Sequence, residues 1–157
     1  MVIAGFTGTA FAKTEAAKSS DKSRSLSSAD KAFIKEAAKG GMMEVAMGRV
    51  AEKNASDSAV KNFGARMVTD HGKANEELKS IAAEEKVQLP AEKSAGKWKS
   101  DKEYMGDMVK DHEKDLAAFE KEAKDGSDPD LKRFADKTSK VIRKHLEMAK
   151  DIDAKLK

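Results

Sequence analysis

Cysteine is absent from this 157-residue chain, which excludes disulfides and thiolate metal sites without fixing a compartment. Proline occurs twice and aromatic residues make up only 5% of the chain, while Ala, Lys, Glu, Asp and Met are plentiful. That composition suits helices and argues against a sheet protein. No apolar run is long enough to cross a bilayer. Charge of one sign is also missing: 31 basic residues face 28 acidic ones, giving a net charge of +3. The two signs are interspersed, as on solvated helix faces, so nothing marks a nucleic-acid surface. A cysteine nucleophile, a Gly-x-Ser-x-Gly elbow and a phosphate-binding glycine loop are all lacking.

The chain opens Met1-Val2-Ile3-Ala4-Gly5-Phe6-Thr7-Gly8-Thr9-Ala10-Phe11-Ala12-Lys13. A short apolar run ending in Ala-Phe-Ala matches the small-x-small pattern of a signal-peptidase site, though no basic leading region precedes it. Residues 1–12 are read as a signal-peptide remnant, with cleavage after Ala12 and export to the periplasm, the outer envelope or the medium. Residues 13–27, rich in Lys, Ser and Ala without apolar period, read as a disordered tether.

From Ser28 onward four helices are legible, within a single domain of residues 28–157. The first runs from about Ala29 to Asn54, capped by Ser28 or Asp30, with an inward stripe of Phe33, Ala37, Gly40, Glu44, Met47 and Ala51. Gly40, Gly41 and Gly48 suggest that a neighbouring helix, or a group projecting from one, approaches this backbone. After the turn at Ser56-Asp57, a second helix reaches about Lys86, with Val60, Gly64, Met67, His71, Ala74, Leu78 and Ile81 inward. Pro90 and Gly96 break the chain, and the link is long enough either to run the length of a bundle or to form a surface loop. The third helix, about Lys99 to Lys124, turns Asp101, Met105, Met108, His112, Leu116, Phe119 and Ala123 inward. Gly126 ends it. Asp128 and Pro129 start the fourth, whose stripe is Leu131, Phe134, Thr138, Val141, His145, Met148 and Ile152.

A shift of 71 residues lays Asp30-Lys31-Ala32-Phe33 on Asp101-Lys102-Glu103-Tyr104, and Ser56-Asp57 on Ser127-Asp128. Two hairpins of one design, neither able to bury its apolar face alone, predict an all-α four-helix bundle. In this register Gly41 falls on His112, so one hairpin carries an imidazole where the other leaves a gap.

Gly40-Gly41-Met42-Met43-Glu44, Phe63-x3-Met67-Val68-x-Asp70-His71, the second Asp111-His112 and the late His145-Leu146 together resemble an exported bacterial family. It is the ferritin-like domain of unknown function numbered 4142, often labelled outer membrane protein. The resemblance spans about Ser28 to Ile152. It implies a ferritin-like fold and an envelope location, and it supplies no reaction.

The three histidines of the chain, His71, His112 and His145, each lie near the middle of a helix on its inward stripe. A mid-helix residue stands at mid-height whichever way its helix runs, so the three rings are expected at one level, with Glu44 about a turn away. Such a layer is either a hydrogen-bonded polar stratum or a metal site, because buried polar groups need partners. The di-iron pattern of ferritin-like proteins places Glu three residues before His. Here those positions are Val68 and Ile142, which argues against a di-iron oxidase and leaves the chain without an evident enzymatic assignment. His71, His112, His145 and Glu44 would suit a single zinc or copper ion, with Met67, Met108 and Met148 as candidate soft ligands that also serve as core filler. The sequence thus points to an envelope metal-binding or stress-protective protein. The alternative is a non-catalytic structural or interaction module.

Overall fold

The computed structural model describes residues 26–92 and 94–157. The expected signal remnant, and the tether up to residue 25, lie outside them. Four helices follow one another: α1 (Ser28–Asn54), α2 (Ser58–Glu84), α3 (Asp101–Asp125) and α4 (Pro129–Asp153). No strand occurs among the described residues.

Each helix begins on a side-chain oxygen that satisfies otherwise orphaned backbone N–H groups. Ser27 caps α1, in a reciprocal capping box with Asp30, one residue before Ser28 and three before Asp30, the caps expected from the sequence. Asp57 caps α2, Ser100 caps α3, and Asp128 caps α4 with Pro129 in its first turn.

Helix α1 packs on α2 and α3 on α4. The two hairpins then meet through α2 with α4 and α1 with α3. Their relative directions follow from two latches. Ser127, in the α3–α4 turn, donates through its N–H and hydroxyl to Asp30 at the start of α1. Ser56 and Asp57, in the α1–α2 turn, donate their N–H groups to Asp101 at the start of α3, at 3.0 and 2.6 Å. The start of each hairpin thus ties the turn of the other, and the 71-residue shift maps one latch on the other. All neighbouring helices are consequently antiparallel. The 85–100 link must run the full length of the bundle, and its side chains agree: Val87 and Leu89 pack into the core at one end, Trp98 at the other.

The core is split in two. Ile34, Leu78, Phe119, Leu131, Phe134 and Ile142 anchor the end near Ser27. Phe63, Met67, Tyr104, Met105 and Met108 anchor the opposite end. A polar layer lies between them.

The inward stripes agree with expectation on α2, α3 and α4 at most positions, but α1 is rotated. Its buried face is Asp30, Ile34, Ala38, Gly41, Glu44, Gly48 and Ala51, so Phe33, Ala37 and Gly40 sit one step aside, toward α3. The cause is close packing against α2. A Cβ on Gly48 would stand 2.7 Å from the Gly64 carbonyl oxygen, and a Cβ on Gly64 would stand 2.7 Å from the Gly48 carbonyl oxygen. Only residues without side chains allow that approach. The gap at Gly41 is filled by the Asn75 amide.

Candidate metal centre

His71, His112 and His145 reach one point from α2, α3 and α4. They are 5%, 0% and 0% exposed, and Glu44 from α1 is 4% exposed. Ring centroids are 5.6 Å apart for His71–His112, 5.2 Å for His71–His145 and 5.6 Å for His112–His145. One ligand atom from each ring lies within 4.8 Å of the others. Phe63 closes the layer from below, its ring 6.2 Å from His112 and 6.4 Å from His145.

Each ring is pinned through one nitrogen. His71 Nδ1 lies 2.8 Å from Glu44 Oε2. His145 Nε2 lies 3.0 Å from Asp70 Oδ2. His112 Nδ1 lies 2.9 Å from the Met108 carbonyl oxygen, one turn back on its own helix. These partners only accept hydrogen bonds, so each pinned nitrogen carries the N–H. A neutral imidazole has a single N–H, so the opposite nitrogens are bare acceptors. Two of these, His71 Nε2 and His145 Nδ1, face each other at 3.3 Å. The third, His112 Nε2, is buried with no partner. Carboxylate and carbonyl groups behind ligating imidazoles are the usual way of fixing their tautomer and orientation.

Two bare acceptors cannot hydrogen-bond each other without a shared proton. The surroundings of the rings differ in the protonation state they favour. Burial works against a charged His71, yet the charge and hydrogen bond of Glu44, aided by Asp115 and Asp70, raise its pKa above the ordinary imidazole value. Burial alone would raise Glu44, but His71 outweighs it and, with His112 and His145, holds the carboxyl below its usual range. Burial also lowers His112, further aided by His71 against the opposing charge of Glu44. His145 is pushed down to about 4, first by burial and then by its two imidazole neighbours, despite its bond to Asp70. Of the three rings, His71 is thus the one whose surroundings favour the charged form, while those of His112 and His145 favour the neutral one.

All three histidines expected at one level are brought together. Glu44 stands behind His71, on the nitrogen turned away from the other rings, and its second carboxylate oxygen lies 3.4 Å from His112 Nδ1. Met67 and Met108 are fully buried within the far-end apolar cluster, and Met148 packs at its edge, where Arg66 approaches its sulfur at 3.9 Å. Two residues escaped sequence reading. Asp70 seems idle beside His71, because adjacent residues on a helix do not face each other. Its partner is His145 on the neighbouring helix. Asp115 lies close enough to Glu44 to feel its charge, and burial followed by the charges of Glu44 and Asp111 raises its carboxyl to about 7. The repeat held the signal for it, since the 71-residue shift places Glu44 on Asp115.

The layer is reached from two sides. A groove of about 400 Å³ between α2 and α4 is lined by His71, His145 and Asp70, with Arg66, Lys73 and Lys144 at its mouth. On the other side, Glu44 and Asp115 line a cleft between α1 and α3.

A family profile described as Domain of unknown function (DUF4142) matches residues 15–152. The chain belongs to this family. The bundle is also similar to a solved structure described as "Crystal structure of DUF305 fragment from Deinococcus radiodurans", with a TM-score of 0.70 at 8% identity. The match covers 85% of this chain and 100% of that one, and at such identity it speaks for the fold alone. No curated protein matches. Within this DUF4142 chain, the residue set corresponding to a di-iron site is missing: Ile142, three residues before His145, is 1% exposed in an apolar cluster. No helix among the described residues is long and apolar enough to cross a membrane.

Proposed function

We propose that this protein binds a single zinc or copper ion through His71, His112 and His145, as an exported metal-handling or stress-protective protein of the cell envelope. One observation carries the reading. Three buried imidazoles each have one nitrogen fixed by an acceptor and the other left bare within one small space. Three imidazole nitrogens suit zinc or Cu(II), and a three-ligand site leaves a position open for an exogenous group. Glu44, Asp70 and the Met108 carbonyl act as orienting groups behind the ligands. Export rests on the Ala10-Phe11-Ala12 segment, and N-terminal sequencing of secreted protein tests it: cleavage after Ala12 supports it, an intact Met1 contradicts it.

A purely structural layer is the competing reading, favoured by the Glu44–His71–His145–Asp70 chain of hydrogen bonds. It leaves His112 Nε2 unexplained. Anomalous diffraction from crystals grown with zinc or copper separates the two. A single peak between the three rings supports the metal reading; surface peaks alone support the structural one.

A further inference from the structure

A cleft of about 560 Å³ opens between α1 and α3, within the range of small-ligand sites. Its floor is apolar: Phe33, Ala37 and Met43 come from α1, Ala118 and Phe119 from α3, and the rings of Phe33 and Phe119 meet edge to face at 4.9 Å. Its walls are acidic, with seven carboxylates against three lysines. Two of the seven, Glu44 and Glu122, are more than nine-tenths buried, and in each the Oε1 atom has no hydrogen bond; His112 Nδ1 stands 3.4 Å from that of Glu44 but is committed to the Met108 carbonyl oxygen at 2.9 Å. Buried carboxylate oxygens normally find donors, so the cleft is short of donors at both places.

The two orphans stand at opposite ends. Glu44 belongs to the histidine layer, and Glu122 sits beside the α3–α4 turn, where Gly126 leaves room for its carboxylate. Asp115 lies between them, its Oδ2 over Gly40. Asp115 to Glu122 is two turns of α3 and Gly40 to Glu44 about one turn of α1, so the orphans are roughly 15 Å apart along the bundle. Among the described residues, no three of the cleft carboxylates come close enough to share a metal ion. An occupant must therefore carry separated positive groups joined by something apolar. An ammonium offers three donors and no acceptor, which is what an unpartnered carboxylate lacks.

We propose that the α1–α3 cleft binds a linear aliphatic polyamine, its methylene chain lying along Phe33, Ala37 and Phe119 and its terminal ammonium groups on Glu44 and Glu122. The inference does not require a bound metal: it uses Glu44 Oε1, which His71 does not bond and which stands 3.4 Å from His112 Nδ1, a nitrogen turned away from the other rings.

Calorimetric titration of the full chain with spermine, in about 150 mM salt to screen exposed charges, tests it. The expected result is one spermine per chain, with 1,4-diaminobutane, too short to reach both ends, bound at least roughly tenfold more weakly. Glu122→Gln, which keeps the side-chain shape, is expected to weaken spermine about tenfold or more, and Ala37→Phe to block it with the melting temperature retained. Should Ala37→Phe disturb folding, Glu122→Gln alone carries the comparison. Equal binding of spermine, diaminobutane and magnesium, or equal spermine binding by wild type and Glu122→Gln, would overturn the proposal.

Discussion

His145 Nδ1 lies 3.3 Å from His71 Nε2, while the far nitrogens of the two rings are committed to Asp70 and Glu44. A proton on His71, the ring whose surroundings favour the charged form, would reconcile the pair, and a metal ion would take that proton's place. Metal binding is therefore expected to release about one proton per ion near neutral pH. The sign follows from the raised pKa of His71: affinity rises with pH until that group is deprotonated and falls in acid. Calorimetry in buffers of different ionisation enthalpy counts the proton. A release of zero at pH 6.5 would contradict the assignment.

His145 makes the layer sensitive to acid. Its folded pKa is about 4 against an unfolded value of 6.5. Between those limits the unfolded chain binds a proton that the folded chain refuses, so this group's contribution to stability is lost as pH falls from 6.5 toward 4. The contribution is about 3 kcal/mol at most. Urea denaturation of metal-free wild type and His145→Gln is expected to show a stability difference that shrinks by this order across the window.

Glu122 works in the opposite direction. Burial, reinforced by the neighbouring Asp30 carboxylate, raises its carboxyl from 4.5 to about 7. The folded chain holds that proton longer than the unfolded one, so stability is lost as pH rises through 4.5–7. Glu122→Gln is expected to be more stable than wild type at pH 8 by about 1–2 kcal/mol, with the gain fading below pH 4.5. Thermal or urea melts at the two pH values measure it.

The orienting carboxylates separate ligands from supports. Glu44→Gln and Asp70→Asn each leave three imidazoles in place but remove the charge that fixes one of them, and each is expected to weaken metal binding by about 10- to 100-fold. Glu44→Gln should also lower the His71 pKa, read from its ring resonances in a pH titration. Unchanged affinity in both variants would place these groups outside the site.

Helix packing offers a test independent of the histidines. Gly48 and Gly64 let the α1 and α2 backbones touch, and a methyl group at either would stand 2.7 Å from the facing carbonyl oxygen. Gly48→Ala is expected to destabilise by about 1–3 kcal/mol despite alanine's higher helix propensity. A gain in stability in a urea melt would show that the interface has slack.

Much of the fold was legible because periodicity and the 71-residue repeat are both read along one chain. Gly126, Asp128 and Pro129 marked the α3–α4 turn correctly. What was missed depends on contacts between helices. The α1 face was misjudged by one position because Phe33 and Ala37 are as apolar as Ile34 and Ala38, and only the Gly48–Gly64 contact decides which pair turns inward. The link from residue 85 to 100 left two paths open until the Asp30–Ser127 and Asp101–Ser56 latches fixed the directions of the hairpins. In the site, the three histidines were visible because mid-helix residues share a level. Asp70 was hidden because its partner lies 75 residues away on α4.

The central claim is that three imidazoles form one coordination centre. Titrating zinc and copper into metal-stripped protein purified without a histidine tag, beside His112→Ala, tests it most directly. His112 makes its hydrogen bond within its own helix, to Met108, with Glu44 Oε1 3.4 Å from the same nitrogen, and its Nε2 is the unpartnered nitrogen. The account predicts one tightly held ion per wild-type chain and a loss of affinity of about a hundredfold or more in His112→Ala, with the fold retained. Equally weak binding of both metals by both proteins would contradict it.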